Sequence, residues 1–269
     1  MTPVCATCGA VYPEADEPPS ACRICEDERQ WVPEDGQQWT SLEELESDHR
    51  NELRKEDAEL FGIGIEPEFA IGQRMLLLES AAGNVLWDMV PLCTEPAVAE
   101  VRQRGGAAAI AVSHPHYYSG MLEWSRALGD VPILLHADDR DWVTRPDPLV
   151  EHWEGETHEL TGGVTLLRLG GHFAGGMVLH WPDGADGRGT LLSGDIVQVL
   201  PHRRAVTFMW SYPNMLPLPA SEVQRIAATL EEWEFDRIWG AWWGRVIRTD
   251  AKAVVRDWVE RYVRASTRA

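Results

Sequence analysis

The chain has 269 residues, of which 44% are hydrophobic, and this length suits one substantial soluble domain with a small appendage. No apolar run approaches the roughly 20 residues that span a bilayer, and the segment from Met1 to Cys5 lacks the features of a signal peptide. We therefore expect no membrane association and a cytoplasmic location. The formal net charge is −19, with 16 acidic and 5 basic side chains in residues 1–62, and such a field argues against a nucleic-acid partner.

Two Cys-x-x-Cys motifs open the chain, and thirteen residues separate them. Each motif can present two thiolates to one tetrahedral ion, and a reducing compartment keeps the thiols free to do so. Because some thirty residues bury too little core to fold alone, we predict a metal-bound module over residues 1–35. The segment also resembles the short rubredoxin-like domain of rubrerythrins, so iron is the alternative to structural zinc. The predicted ligands are Cys5, Cys8, Cys22 and Cys25.

A capping box formed by Ser41 and Glu44 predicts a linker helix within residues 36–62, running to about Leu60. Beyond it, residues 63–269 form the predicted main domain, in which apolar runs broken by glycines indicate strands that alternate with helices. The predicted strands are 64–71, 74–79, 85–90, 107–112, 131–135 and 237–239, and the predicted helices are 94–104, 121–128, 138–143, 220–233 and 250–264.

Three segments place polar side chains where a buried strand ends, which is the usual position of site residues. His114 and His116 follow the run Ala107–Val112, His172 lies in a glycine-rich loop after 164–169, and Asp195 ends the run that begins at Gly189. Three imidazoles and one carboxylate suit zinc, ferrous iron or manganese. Each of these side chains is therefore a candidate metal ligand.

The order His-x-His, Gly-His-x-x-Gly, Ser-Gly-Asp resembles the metallo-β-lactamase superfamily from about Ile63 to the C-terminus. This resemblance implies an α/β fold, the four-layer αββα sandwich, with the metal ligands on loops at one edge. The superfamily's first motif continues with Asp and His where this chain has Tyr118 and Ser119. Its last histidine ligand should fall near Trp242 or Trp243. The resemblance therefore implies one zinc, iron or manganese site, held by His114, His116, His172 and Asp195, with the second site lost.

The main functional hypothesis is a mononuclear metallo-hydrolase acting on a small molecule. Because three histidines and a monodentate aspartate already complete a tetrahedron, catalysis requires a fifth position or an Asp195 that leaves the ion and acts as a base. Tyr117 or Tyr118 could donate a hydrogen bond to the developing oxyanion.

The 13 tryptophans of the chain suggest an apolar or planar substrate. The expected pocket residues are Trp210, Trp242, Trp243 and Arg245, the last as a partner for a substrate carboxylate. Two alternatives remain: an iron dioxygenase of the persulfide type, and a non-catalytic metal-binding or ligand-binding protein. A homo-oligomer is compatible with the sequence.

Overall fold

The computed structural model describes residues 1–267, so the last two residues of the predicted main domain lie outside it. The chain divides into two compact units, Met1–Trp153 and Glu154–Ala269. The boundary between them lies within the predicted main domain, and the three-part division at residues 35 and 62 stays a prediction. No helix within residues 1–267 combines the length and the apolar character that crossing a membrane requires.

The first unit begins with a two-stranded sheet and continues into a seven-stranded one, in which the strands follow one another in sequence order. In the larger sheet, the first four strands pair antiparallel with one another. From the fourth strand to the seventh, each pair of neighbours is parallel. The strands are β1 (Pro3–Cys5), β2 (Trp39–Ser41), β3 (Arg50–Asp57), β4 (Leu60–Glu66), β5 (Met75–Leu78), β6 (Val85–Trp87), β7 (Ala109–Ala111), β8 (Ile133–His136) and β9 (Val150–Trp153).

Helices of the first unit connect these strands. They are α1 (Leu42–Asp48), α2 (Glu95–Gln103) and α3 (Met121–Ala127), with short 3-10 segments at Pro115–Tyr117 and Ala137–Trp142. The predicted capping box is present, because the Ser41 hydroxyl accepts from the Glu44 backbone and the Glu44 carboxylate accepts from the Ser41 backbone.

The predicted linker helix is wrong beyond residue 48. The helix ends at Asp48, and Arg50–Asp57 forms β3 at the edge of the large sheet. In register with β4, Leu53 lies opposite Ile63 and Arg50 lies opposite Glu66. Pairing with the buried, apolar β4 supplies a ladder of hydrogen bonds that outweighs the helical preference of this charged segment.

The second unit contains a six-stranded sheet in the order β10-β11-β12-β13-β18-β19 and two small hairpins. Its strands are β10 (Thr157–Glu159), β11 (Thr165–Arg168), β12 (Met177–Trp181), β13 (Thr190–Gly194), β14 (Gln198–Val199), β15 (Val206–Thr207), β16 (Met209–Ser211), β17 (Leu216–Pro217), β18 (Arg237–Gly240) and β19 (Val246–Ile247), and its helices are α4 (Gly184–Gly187), α5 (Ala220–Glu231) and α6 (Ala251–Ser266), with a 3-10 turn at Thr161–Gly163.

One continuous core holds the second unit together. Side chains from the sheet and from one face each of α5 and α6 meet there, and the partly buried Trp210 and Trp258 pack against them. Apolar residues at helical spacing on α5, Val223, Ile226 and Leu230, are all buried, which is the pattern expected of a helix lying on a sheet. The loops that follow β11 and β13 therefore begin at a rigid core.

Candidate metal centres

The first two histidines of the predicted site lie in the first unit, directly after the buried strand β7. His114 is completely buried and His116 is 6% exposed, and their ring centroids are 5.0 Å apart. A 3-10 turn, Pro115–Tyr117, bends the chain between them. The ring of Tyr117 contacts that of His114 edge-on, with 4.6 Å between centroids. The Nε2 atoms of both histidines are buried.

A buried polar chain supports His114. The Ser113 hydroxyl lies 2.9 Å from His114 Nδ1, and the Ser113 backbone N–H donates to the Asp88 carboxylate at 2.8 Å. Burial raises the pKa of Asp88 to about 7, although hydrogen bonds from Ser113 and the charge of Arg74 oppose this shift. Burial lowers the pKa of Arg74 to about 10. These contacts orient the imidazole, as partners of metal ligands commonly do.

The other two predicted ligands lie in the second unit. His172 follows Gly170 and Gly171, which have φ of 62° and 84°, a conformation that favours glycine. A Cβ atom on Gly171 would also lie 2.9 Å from Leu218. His172 Nδ1 lies 2.7 Å from the Trp210 carbonyl; because a carbonyl only accepts, Nδ1 carries the proton and Nε2 is the nitrogen left to bind a metal. Asp195 directly follows β13.

All four predicted ligands come together: one atom each from His114, His116, His172 and Asp195 lies within 4.8 Å of the others. Three imidazole nitrogens and one carboxylate oxygen are a donor set for zinc, ferrous iron or manganese. The four donor atoms therefore fit a metal ion. They do not distinguish zinc from ferrous iron or manganese. The four side chains named from the sequence lie in this cluster, and their role as metal ligands stays a prediction.

Two neighbouring positions depart from the superfamily's motif. Tyr118 is 7% exposed and Ser119 is 3% exposed. Burial, with a smaller contribution from the Asp139 carboxylate, raises the pKa of the Tyr118 phenol well above its usual value. The Ser119 hydroxyl is buried and makes no hydrogen bond to any group in residues 1–267. Both side chains offer a hydroxyl where the superfamily has charged or imidazole ligands.

The predicted pocket residues lie on one strand and in one turn of the second unit. Trp210 lies on β16, is half-buried, and its carbonyl accepts from His172. The half-buried Trp242, Trp243 and Arg245 lie in the turn between β18 and β19, where the Arg245 backbone N–H donates to the Trp242 carbonyl. Their role in binding a substrate stays a prediction.

The four N-terminal cysteines form a second cluster within 4.8 Å. The Cys5 and Cys25 sulfurs are 3.5 Å apart, those of Cys8 and Cys22 are 3.6 Å apart, and the Tyr12 hydroxyl donates to Cys22 Sγ. Hydrogen bonds from the other three thiols, that from Cys25 foremost, lower the pKa of Cys22. Four sulfurs gathered in this way fit a tetrahedral ion such as zinc or iron.

Side chains from elsewhere in the first unit enclose the cysteine cluster. Trp39 and Trp142 pack against it, and the guanidinium groups of Arg23 and Arg29 each lie 5.3 Å from the centre of the Trp142 ring. The Thr144 hydroxyl donates to the Val11 carbonyl. The module is therefore attached to the segment that follows β8.

Sequence reasoning missed three supporting groups: Ser113, Asp88 and the Trp210 carbonyl. Asp88 gave a weak signal, because it follows the apolar strand β6 in the same way that the ligands follow theirs. The Trp210 carbonyl gave none, since a backbone atom 38 positions from His172 is identified only by the folded chain.

Comparison with known proteins gives one close relative in sequence and many in structure. The chain is 45% identical over 264 residues to the uncharacterized protein YmaE of Bacillus subtilis (strain 168), covering 97% of this chain and 96% of the relative. No family model matches the chain.

Solved metallo-β-lactamases share the fold at low sequence identity. DIM-1 metallo-β-lactamase superposes with a TM-score of 0.60 at 15% identity, covering 81% of this chain and 99% of the other. FIM-1 from Pseudomonas aeruginosa in its mono-zinc form gives 0.57 at 10% identity, covering 79% and 96%. These likenesses confirm the predicted fold, and by its sequence the chain belongs to the family of Bacillus subtilis YmaE, a family with the metallo-β-lactamase fold.

Proposed function

We propose that this protein is a hydrolase with a single catalytic metal ion, acting on a small, apolar or aromatic ester, lactone or thioester. The observation that carries the proposal is the convergence of His114, His116, His172 and Asp195. Tyr118 and Ser119, which stand where a second set of ligands would begin, support one ion rather than two. Zinc is the preferred ion, with iron or manganese as alternatives.

The chemistry divides between the ion and the chain. When bound, the ion supplies Lewis-acid polarisation of a carbonyl and a water of lowered pKa. His172 Nδ1 donates to the Trp210 carbonyl at 2.7 Å. This hydrogen bond orients the imidazole ring and leaves Nε2 as the nitrogen that would bind the ion. Asp195 accepts the proton of the attacking water, which requires its carboxylate to reach that water.

Phenol groups would stabilise the charge that develops on the substrate. Tyr117 and Tyr118 are buried next to His116, and a phenol O–H in a dry site is a strong donor to an oxyanion. In this proposal Tyr118 supplies part of the stabilisation that a second cation would otherwise give. Removing one such donor typically costs roughly 10²–10³ in kcat.

Aromatic side chains support an apolar substrate. The Trp210 carbonyl is hydrogen-bonded to His172, and Trp242 and Trp243 lie in the turn between β18 and β19 of the same unit. Large rings at the edge of a site favour flat or apolar ligands. Arg245 would pair with a carboxylate on the substrate, if the substrate has one.

Location and partners are part of the same proposal. We place the protein in the cytoplasm, because the four clustered cysteines need a reducing compartment to stay available to a metal. The net charge of −19 favours a small-molecule substrate over a nucleic acid.

The test is a substrate panel run on protein loaded separately with zinc, iron and manganese. Esters, lactones and thioesters with apolar or aromatic groups should be hydrolysed, and Tyr118→Phe should lower kcat at least about tenfold with the metal content unchanged. Tyr212→Phe is the matched control, since Tyr212 is 61% exposed. Oxygen consumption with a persulfide by the iron form would instead establish a dioxygenase. Tight ligand binding without turnover would establish a binding protein.

A further inference from the structure

The second unit contains a cavity whose lining includes none of the residues of the two candidate metal clusters. It has a volume of about 550 Å³ and is lined by His202, Arg204, Asp257, Trp258 and Arg261. This volume falls within the roughly 300–1,000 Å³ typical of small-molecule sites. The lining holds two guanidinium groups, one imidazole and a single carboxylate, on a chain whose net charge is −19.

The arginines of this cavity are available to a ligand. Arg204 and Arg261 form no ion pair with any carboxylate in residues 1–267. Asp257 lines the same cavity, yet neither arginine of the lining lies within 4.0 Å of it in that part of the chain. Positive groups left unpaired on so acidic a protein provide a local site for an anion.

Hydrogen bonds fix the cavity's shape. The turn that joins β14 to β15 is closed by the Leu200 N–H donating to the Ala205 carbonyl at 3.0 Å. The Trp258 indole N–H donates to the Arg204 carbonyl at 3.1 Å, which attaches helix α6 to this turn. The Arg204 N–H in turn donates to His202 Nδ1 at 3.3 Å. A cavity that already has its shape loses less conformational entropy on binding a ligand than a flexible one does.

Trp258 and Arg261 provide a mixed apolar and charged wall. The Arg261 guanidinium lies 5.3 Å from the centre of the Trp258 ring, and the His202 ring centroid is 6.5 Å from the same ring. This cation–π contact leaves the N–H groups of Arg261 able to bind oxygen atoms. Arginine groups of this kind match the oxygens of phosphate in pairs.

We propose that this cavity binds an organic phosphate with a planar ring, of the nucleoside monophosphate class. Arg204 and Arg261 hold the phosphate oxygens, and the indole of Trp258 contacts the ring. None of its residues belongs to the candidate metal centre, so the site does not rest on the proposed hydrolase activity.

The experiment is titration calorimetry with AMP, adenosine and inorganic phosphate at low ionic strength, together with NMR observation of the Trp258 indole N–H. We expect AMP to bind at least about fivefold more tightly than either fragment, and to shift the Trp258 signal. The double variant Arg204→Gln with Arg261→Gln should weaken AMP binding at least about tenfold, since charge-assisted hydrogen bonds to phosphate are strong.

Controls separate the site from general charge effects. Arg264→Gln removes a 63% exposed guanidinium one turn further along α6, where it pairs with Glu260, and should bind AMP normally. Asp195→Ala should also bind AMP normally, so failure of the hydrolase proposal leaves this test intact. Failure of millimolar AMP to bind, or equal binding by the double variant, overturns the proposal; adenosine binding as tightly as AMP overturns the role of the phosphate.

Discussion

The two clusters of metal-binding residues differ in the chemistry of their donors and in what surrounds them. Four thiols of one kind meet in the cysteine cluster, and three of them are buried. Imidazole nitrogens and one carboxylate meet in the other cluster, where Asp195 is only half-buried and hydroxyl groups from Tyr118 and Ser119 lie nearby in the chain.

We propose that this difference separates a structural ion from a reactive one. Four thiolates complete a tetrahedron and leave no position for a substrate, which is typical of ions that stabilise a fold. A histidine and carboxylate set with one exchangeable carboxylate can open a position, which is typical of catalytic ions. The two clusters should therefore respond differently to the loss of a single ligand.

The largest expected effect is on the fold of the N-terminal module. Cys22→Ser removes a thiolate ligand, and the module should lose its ion and unfold, because structural zinc contributes roughly 10–16 kcal/mol of binding free energy in small zinc domains. Metal analysis should show one ion fewer per chain, and limited proteolysis should cut within residues 1–35. Cys93→Ser is the matched control, since Cys93 lies outside the cluster; an unchanged ion count in Cys22→Ser would refute the structural assignment.

The second effect is loss of the ion from the other cluster alone. His116→Ala and Asp195→Ala should each lower the metal content by one while the cysteine module stays loaded and folded, since each removes one of four donors. Mass spectrometry under native conditions measures both properties at once. His158→Ala, on strand β10 away from the cluster, should keep both ions. Retention of both ions in Asp195→Ala would show that this carboxylate is not a ligand.

A smaller effect is expected for a residue that supports a ligand. Ser113→Ala removes the hydroxyl that lies 2.9 Å from His114 Nδ1 and should weaken metal binding by roughly 10–100-fold, the usual effect of losing such a partner. Competition with a chelator measures the dissociation constant. Ser125→Ala deletes another buried hydroxyl, one bonded to the Val131 carbonyl, and should leave the metal affinity unchanged. Equal affinities in the two variants would mean that Ser113 does not act through His114.

The smallest effect concerns the cysteine cluster. Tyr12→Phe removes the hydroxyl that donates to Cys22 Sγ and accepts from the Arg23 backbone N–H. The loss of about 1 kcal/mol should weaken metal binding by the module about fivefold, without loss of the fold. Tyr212→Phe, at an exposed position, serves as the comparison in the same chelator titration. A complete loss of metal would mean that the cluster depends on Tyr12 far more than one hydrogen bond explains.

Much of both clusters could be predicted from the sequence because their ligands follow short, regular patterns. Cys5 and Cys8, or His114 and His116, are close in sequence, so local geometry alone brings each pair together. The order of the three motifs then indicated the fold. The groups that orient the ligands depend on contacts between distant segments, as when Ser113 meets Asp88, 25 positions earlier, and the sequence offers no local pattern for them.

The prediction that failed concerned a segment whose local preferences and folded environment disagree. Residues 50–57 are rich in charged side chains that suit a helix, yet they form β3 beside the buried β4. Only the partner strand decides between the two structures, because an edge strand gains its hydrogen bonds from its neighbour. The capping box at Ser41 was correctly predicted because all its atoms lie within four residues.

Counting metal ions per chain by native mass spectrometry tests the central claim most directly. We predict two ions in the wild-type protein, one in Cys22→Ser, one in Asp195→Ala, and none in the protein carrying both substitutions. A single ion in the wild-type protein, or loss of both ions on either single substitution, would contradict the account of one structural and one reactive metal.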